Sequence, residues 1–201
     1  MNKNKVINVG LIGFGIVGSG VVELFSQNKS KGINLKKVVV RDIKKPRKVP
    51  FASLTTDVNE VLEDSDIDII VELIGGYNPA KDYLINAIRN GKHVVTANKA
   101  VISEYGPEIF EEVKKHKVNI GFEGAVGGGI PIINPLLEQL SFGQIKSIVG
   151  ILNGTTNFIL TRMGKGIDYE NALKIAQEKG PLSSASFKIR FASAGESASA
   201  G

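Results

Sequence analysis

The sequence predicts an α/β fold with a doubly wound parallel sheet, and three observations carry that prediction. A nearly continuous apolar run, Val6–Ile12, passes straight into Gly13-Phe14-Gly15-Ile16-Val17-Gly18 and then into residues with helical spacing. Beyond it, short apolar runs alternate with amphipathic segments, as when helices cross over between parallel strands. Hydrophobic residues make up 42% of the 201 and charged residues 22%, which suits a globular chain with a buried sheet.

The first element is the strand Val6–Ile12, apolar enough to be covered on both faces. The glycines follow in the spacing G-x-G-x-x-G, and Val17, Val21, Leu24 and Phe25 continue at helical spacing. In this strand–turn–helix context, Gly13 permits the tight turn and Gly15 lets the backbone approach a pyrophosphate. Gly18 allows the helix to pack close to the strand. The helix start offers free N–H donors and a positive dipole end. The arrangement is Rossmann-type, and Gly13–Gly18 are the candidate pyrophosphate site.

The second strand is Leu35–Val40. A NAD site usually places an acid at this strand end, about 20 residues past the glycines. Here Arg41 stands 23 residues past Gly18, with Asp42 next and Lys44, Lys45, Arg47 and Lys48 beyond. A guanidinium there can pair with a 2′-phosphate, so NADP is favoured. Asp42 keeps NAD open.

The spacing then predicts a short helix over 57–62, a strand over 68–73 ending at Gly75-Gly76, and a helix over 79–89 closed by Gly91. A strand over 92–96, a helix over 107–117 and a strand over 118–122 complete the alternation. Ligands of such sheets sit at the carboxyl ends of strands. Gly75, Thr96, Lys99 and Glu123 lie at or just past such ends. His93 reads as an edge residue and His116 as a solvated helix end.

Composition excludes several classes. With no cysteine, disulfides, cysteine–zinc sites and thiol nucleophiles are out. No apolar run approaches the roughly 20 residues of a membrane span, and no signal-peptide region precedes the first strand. The net charge of +5 is concentrated around residues 36–48 without interleaved aromatics, which argues against nucleic acid.

Taken in order, Gly13–Gly18, Val40-Arg41-Asp42, Glu72–Gly76, Thr96-Ala97-Asn98-Lys99-Ala100, Glu123–Pro131 and Gly150–Leu160 resemble homoserine dehydrogenase. That family reduces aspartate 4-semialdehyde to homoserine with NADPH or NADH. The resemblance implies that Phe14, Gly15, Ile16 and Val17 line the pyrophosphate, with Arg41 near the adenosine ribose. It places Thr96 at the nicotinamide half and Lys99 between nicotinamide and substrate. It implies a monovalent cation, usually sodium, held by the Glu123 carboxylate and the carbonyls of Val126, Gly128 and Ile130. Gly154 and Thr155 would face the substrate. It also implies a cytoplasmic homo-oligomer acting on a small molecule, with neither nucleic acid nor membrane as partner.

The resemblance implies a dinucleotide-binding domain over 1–142 and the start of an α+β substrate domain over 143–180, opening with a strand at 145–152. It ends near Gly180. There the family carries an acidic substrate ligand, an aspartate and a proton-donating lysine. Residues 181–201 instead hold one acid, Glu196, and two basic residues, Lys188 and Arg190, in small-residue sequence. A truncation or a change of frame near Gly180 is the expectation. The leading function is homoserine dehydrogenase; the alternative is a NAD(P)-binding module without turnover.

Overall fold

The computed structural model describes residues 6–27, 32–128, 130–143 and 154–179. The chain divides into two units, Met1–Leu152 and Asn153–Gly201. In the first, the strands are β1 (Ile7–Ile12), β2 (Ile33–Val39), β3 (Leu54–Thr55), β4 (Ile69–Glu72), β5 (His93–Thr96) and β6 (Ile120–Gly121). The helices are α1 (Ile16–Gln27), α2 (Asn59–Leu62), α3 (Ala80–Arg89), α4 (Lys99–His116) and α5 (Ile133–Phe142).

The six strands form one sheet in the order β3-β2-β1-β4-β5-β6, with every pair parallel. The chain winds outward from β1 to β3, returns to the centre, and winds outward again from β4. The direction reverses between β1 and β4, and such a switch point opens a crevice at the strands' carboxyl ends. Apolar residues from alternate strand positions supply a core on each face. One cluster joins Ile70, Leu84, Ile88, Val94, Val101 and Ile109 from β4, α3, β5 and α4. The other joins Val9, Leu11, Val22, Leu35 and Val38 from β1, α1 and β2.

The doubly wound sheet is as the sequence predicts, with several differences in its elements. α4 starts at Lys99, eight residues before the expected start, and Pro107 lies inside it. Asn98 explains the earlier start, because its side-chain oxygen accepts from the Val101 N–H and caps the first turn. Pro107 removes one backbone donor, but Val101 and Ile109 are fully buried on either side of it and hold the helix in the core. β6 is shorter than expected because Val118 donates to the Val113 carbonyl and closes α4 instead of opening the strand. In α1, Val21 and Phe25 pack against the core beside buried Gly18 and Val22, whereas Val17 and Leu24 are each 58% exposed. β3 and α5 add elements the sequence did not signal.

The second unit contains α6 (Gly154–Met163) and α7 (Tyr169–Lys179). They pack through Ile159, Ala172 and Ala176, and Asp168 accepts from the Asn171 N–H at the start of α7. The expected strand over 145–152 and the segment 181–201 lie outside the described residues. Among the described residues no helix is long and apolar enough to cross a membrane.

Candidate cofactor site

The glycine turn is built by close approach. Gly13 has φ +107°, and a Cβ there would stand 2.9 Å from the Leu73 carbonyl and from the Ile74 side chain. Its N–H donates to the Val39 carbonyl at 3.0 Å, which fastens the turn to β2. A Cβ on Gly18 would stand 2.2 Å from the Gly13 carbonyl oxygen. That contact sets the rotation of α1 and explains why positions 18 and 22 face the sheet. Gly15 is the opposite case: nothing lies within 4 Å of a Cβ built there. Gly13 and Gly18 thus serve close packing, while Gly15 borders open space.

Above the turn lies a cleft of about 380 Å³ at the carboxyl ends of β1, β2 and β4. Gly13, Phe14, Gly15, Leu73, Ile74 and Tyr83 are among the residues that line it. Arg41, Asp42, Lys45 and Arg47 line it too, three cations to one acid. Arg41 is exposed and has no hydrogen-bond or ion-pair partner among the described residues. Asp42 is turned into its own loop, where its carboxylate accepts from the Lys44 N–H at 2.8 Å.

Arg47 has a different task from Arg41. Its guanidinium donates to the carbonyls of Asp42, Ile43 and Lys45 at 2.7, 3.2 and 2.9 Å. It also lies 5.2 Å from the centroid of the Phe14 ring. Arg47 thus clasps the loop after β2 to the glycine turn. Its Nε is buried with no hydrogen-bond partner among the described residues.

A second group of polar residues lies at the ends of β4 and β5. Glu72 and Thr96 are register partners in adjacent strands, and both are buried. The Thr96 hydroxyl donates to Glu72 Oε2 at 2.6 Å and accepts from the Asn98 N–H at 2.9 Å. The other carboxylate oxygen accepts from the N–H groups of Ile74 and Gly75 at 2.8 and 3.4 Å. Thr96, expected at the nicotinamide half, is therefore engaged within the protein. Lys99 opens α4, half-buried, with its amine unpaired among the described residues.

Glu123 sits in a single 3-10 turn after β6. Its carboxylate accepts from the N–H groups of Ile132, Ile133 and Asn134 and so caps the start of α5. The Ile133 N–H, followed by those of Ile132 and Asn134, holds its pKa below the ordinary glutamate value against the opposing effect of burial. Downstream, Gly127 and Gly128 are both left-handed, and Ile130 is 61% exposed. Among the described residues no three histidine or acidic side chains cluster as a metal site. Gly154 and Thr155 open α6 in the second unit. His93 opens β5, which is paired on both sides rather than at the sheet edge, and accepts from the Asn119 N–H. His116 ends α4 as expected but is half-buried, with its Nε2 3.4 Å from Glu112.

Two family models match, "Homoserine dehydrogenase, NAD binding domain" over residues 13–123 and "Homoserine dehydrogenase" over residues 131–184. This chain belongs to the homoserine dehydrogenase family. The homoserine dehydrogenase of Synechocystis is 51% identical over 182 residues, covering 87% of this chain and 42% of that protein. That of Bacillus subtilis is 47% identical, covering 88% of this chain and 43% of its own length. The crystal structure of a homoserine dehydrogenase from Thiobacillus denitrificans superposes with a TM-score of 0.78 at 41% identity, over 90% of this chain and 44% of that one. A hyperthermophilic archaeal homoserine dehydrogenase in complex with NADPH superposes with a TM-score of 0.73 at 27% identity, over 89% of this chain and 62% of that one. The chain thus spans less than half the length of the curated relatives named here. Its sheet is an NAD(P)-binding domain of this family.

Sequence reasoning passed over Glu72, Asn98 and the clasp made by Arg47. Two signals were present. Glu72 interrupts an apolar strand, and a carboxylate at a buried strand position needs donors. Asn98 precedes Lys99, and asparagine is a preferred cap.

Proposed function

We propose that this chain supplies the cofactor-binding half of a homoserine dehydrogenase, serving the reduction of aspartate 4-semialdehyde to homoserine, with NADP(H) preferred over NAD(H). The observation that carries the preference is Arg41. It stands at the end of β2 and lines the cleft, unpaired among the described residues, while Asp42 is occupied within its loop. A free guanidinium there suits a 2′-phosphate better than a ribose hydroxyl pair. The open space at Gly15 also fits a phosphate-bearing dinucleotide.

When bound, the nicotinamide supplies the reducing equivalent. The chain's own contribution at that end is positive potential. Lys99 brings an ammonium and α4 brings its N-terminus to the carboxyl end of β5. Both oppose the negative charge that develops on an aldehyde oxygen during reduction. The same reading assigns Gly154 and Thr155 to the substrate. It assigns a monovalent cation, sodium by family resemblance, to the Glu123 carboxylate and the carbonyls of Val126, Gly128 and Ile130. The cation would share a carboxylate that also caps α5. A cytoplasmic homo-oligomer belongs to the same reading.

A NAD(P)-binding module without turnover is the second reading. Residues 181–201 favour it, because they offer Glu196, Lys188 and Arg190 where the resemblance implies an acid, an aspartate and a lysine. Fluorescence titration with NADPH and NADH, followed by an absorbance assay with aspartate 4-semialdehyde, tests both. Tighter binding of NADPH together with turnover supports the first reading. Binding without turnover supports the second. No binding of either cofactor overturns both.

A further inference from the structure

We propose that Glu72 is the positioning residue of the nicotinamide end of the cofactor site, fixing the start of α4 through Thr96 and Asn98. This rests on the NAD(P)-binding reading and deepens it.

Glu72 is 0% exposed, and among the described residues no cation pairs with it. A carboxylate in such a place loses its hydration and must be fully hydrogen-bonded to persist. An apolar residue would fill the same strand position without that cost. The carboxylate is therefore best explained by what its acceptors organise. It takes three donors: the Thr96 hydroxyl, the Ile74 N–H and the Gly75 N–H.

The direction of each bond follows from proton inventory. An ionised carboxylate can only accept, so the one Thr96 hydroxyl proton goes to Glu72, while a lone pair of the same oxygen accepts from the Asn98 N–H. Asn98 then uses its amide both ways. Its nitrogen donates to the Gly76 carbonyl at 2.7 Å, and its oxygen accepts from Val101 in the first turn of α4. The bonds close a ring through the end of β4, the end of β5, the Gly75–Gly76 turn and the start of α4. Lys99 is the first residue of α4, and losing the Glu72–Thr96 bond would disturb its place.

Glutamine cannot replace glutamate here. Its single side-chain oxygen can serve Ile74 and Gly75, but its NH₂ would then face the Thr96 oxygen. The Thr96 proton would be left without an acceptor in a buried site.

The test titrates NADPH and adenosine 2′,5′-bisphosphate against the wild-type chain and the variants Glu72→Gln, Thr96→Val and Thr96→Ser. The bisphosphate carries the adenosine and 2′-phosphate but no nicotinamide. Glu72→Gln and Thr96→Val should each weaken NADPH about tenfold, as loss of a buried hydrogen bond does, and leave the bisphosphate within about twofold. Thr96→Ser, which keeps the hydroxyl, should bind NADPH like the wild type. If Glu72→Gln does not fold, the Thr96 pair decides. Unchanged NADPH affinity in the folded Gln and Val variants, or equal loss of both ligands, would overturn the proposal. A wild-type chain that binds neither ligand would instead overturn the cofactor reading.

Discussion

A methyl group on Gly18 would stand 2.2 Å from the carbonyl oxygen of Gly13. The contact joins the start of α1 to the turn that leaves β1, and no rotamer can relieve it because both partners are backbone. The third glycine of the motif is thus a packing residue, whereas nothing lies within 4 Å of a Cβ built on Gly15.

Gly18→Ala should force α1 away from the turn. Overpacking of this kind costs about 1–3 kcal/mol, with a lower Tm and weaker NADPH binding together. Thermal melts and a cofactor titration check it. A variant with wild-type values for both would show that the turn can relax around the methyl group.

Arg41→Ala should weaken NADPH far more than NADH. Loss of a charge-assisted contact to the 2′-phosphate is worth about 1.5–3 kcal/mol, roughly ten- to a hundredfold in affinity, and NADH has no such group. Paired titrations give the ratio. Equal losses for both cofactors would remove the 2′-phosphate argument.

Arg47→Lys keeps the charge but not the planar fork that reaches three carbonyls. The loop over residues 42–47 should loosen, seen as faster proteolysis there and a lower Tm. Both cofactors should weaken, since Phe14, which lines the cleft, loses its cover. A selective loss of NADPH alone would mean that Arg47 contacts the 2′-phosphate rather than shaping the loop.

Glu123 tests the cation. Sodium should raise the Tm of the wild-type chain in a concentration-dependent way, because a ligand of the folded state stabilises by mass action. Glu123→Gln should abolish that dependence, and should lower the Tm without sodium too, since the α5 cap is weakened. Identical responses to sodium and potassium in wild type and variant would remove the cation and leave the cap.

Much of the site was legible because it is local in sequence. The glycine spacing, the strand before it and the arginine at the next strand end all fall within the first 41 residues. Helix starts were harder. Pro107 looked like a boundary, yet Asn98 caps the helix and burial of Val101 and Ile109 carries α4 through the proline. In α1 the apolar spacing marked Val21 and Phe25, which pack on the core, as well as Val17 and Leu24, which are exposed, and the Gly13–Gly18 contact turns Gly18 and Val22 to the sheet.

By itself the sequence determined the parallel α/β class and the glycine turn between β1 and α1, which follow from periodicity and from residue types at short, regular spacings. The family was legible only as a resemblance carried by six motifs in order. Only the tertiary structure decided which polar groups meet. Glu72 finds Thr96 across 24 residues because β4 and β5 pair in that register. Arg47 reaches back to Phe14, and Glu123 reaches forward to the start of α5. Each is a buried or half-buried polar group whose partners must come from wherever the crossovers bring the chain back, and strand register and helix rotation set that place.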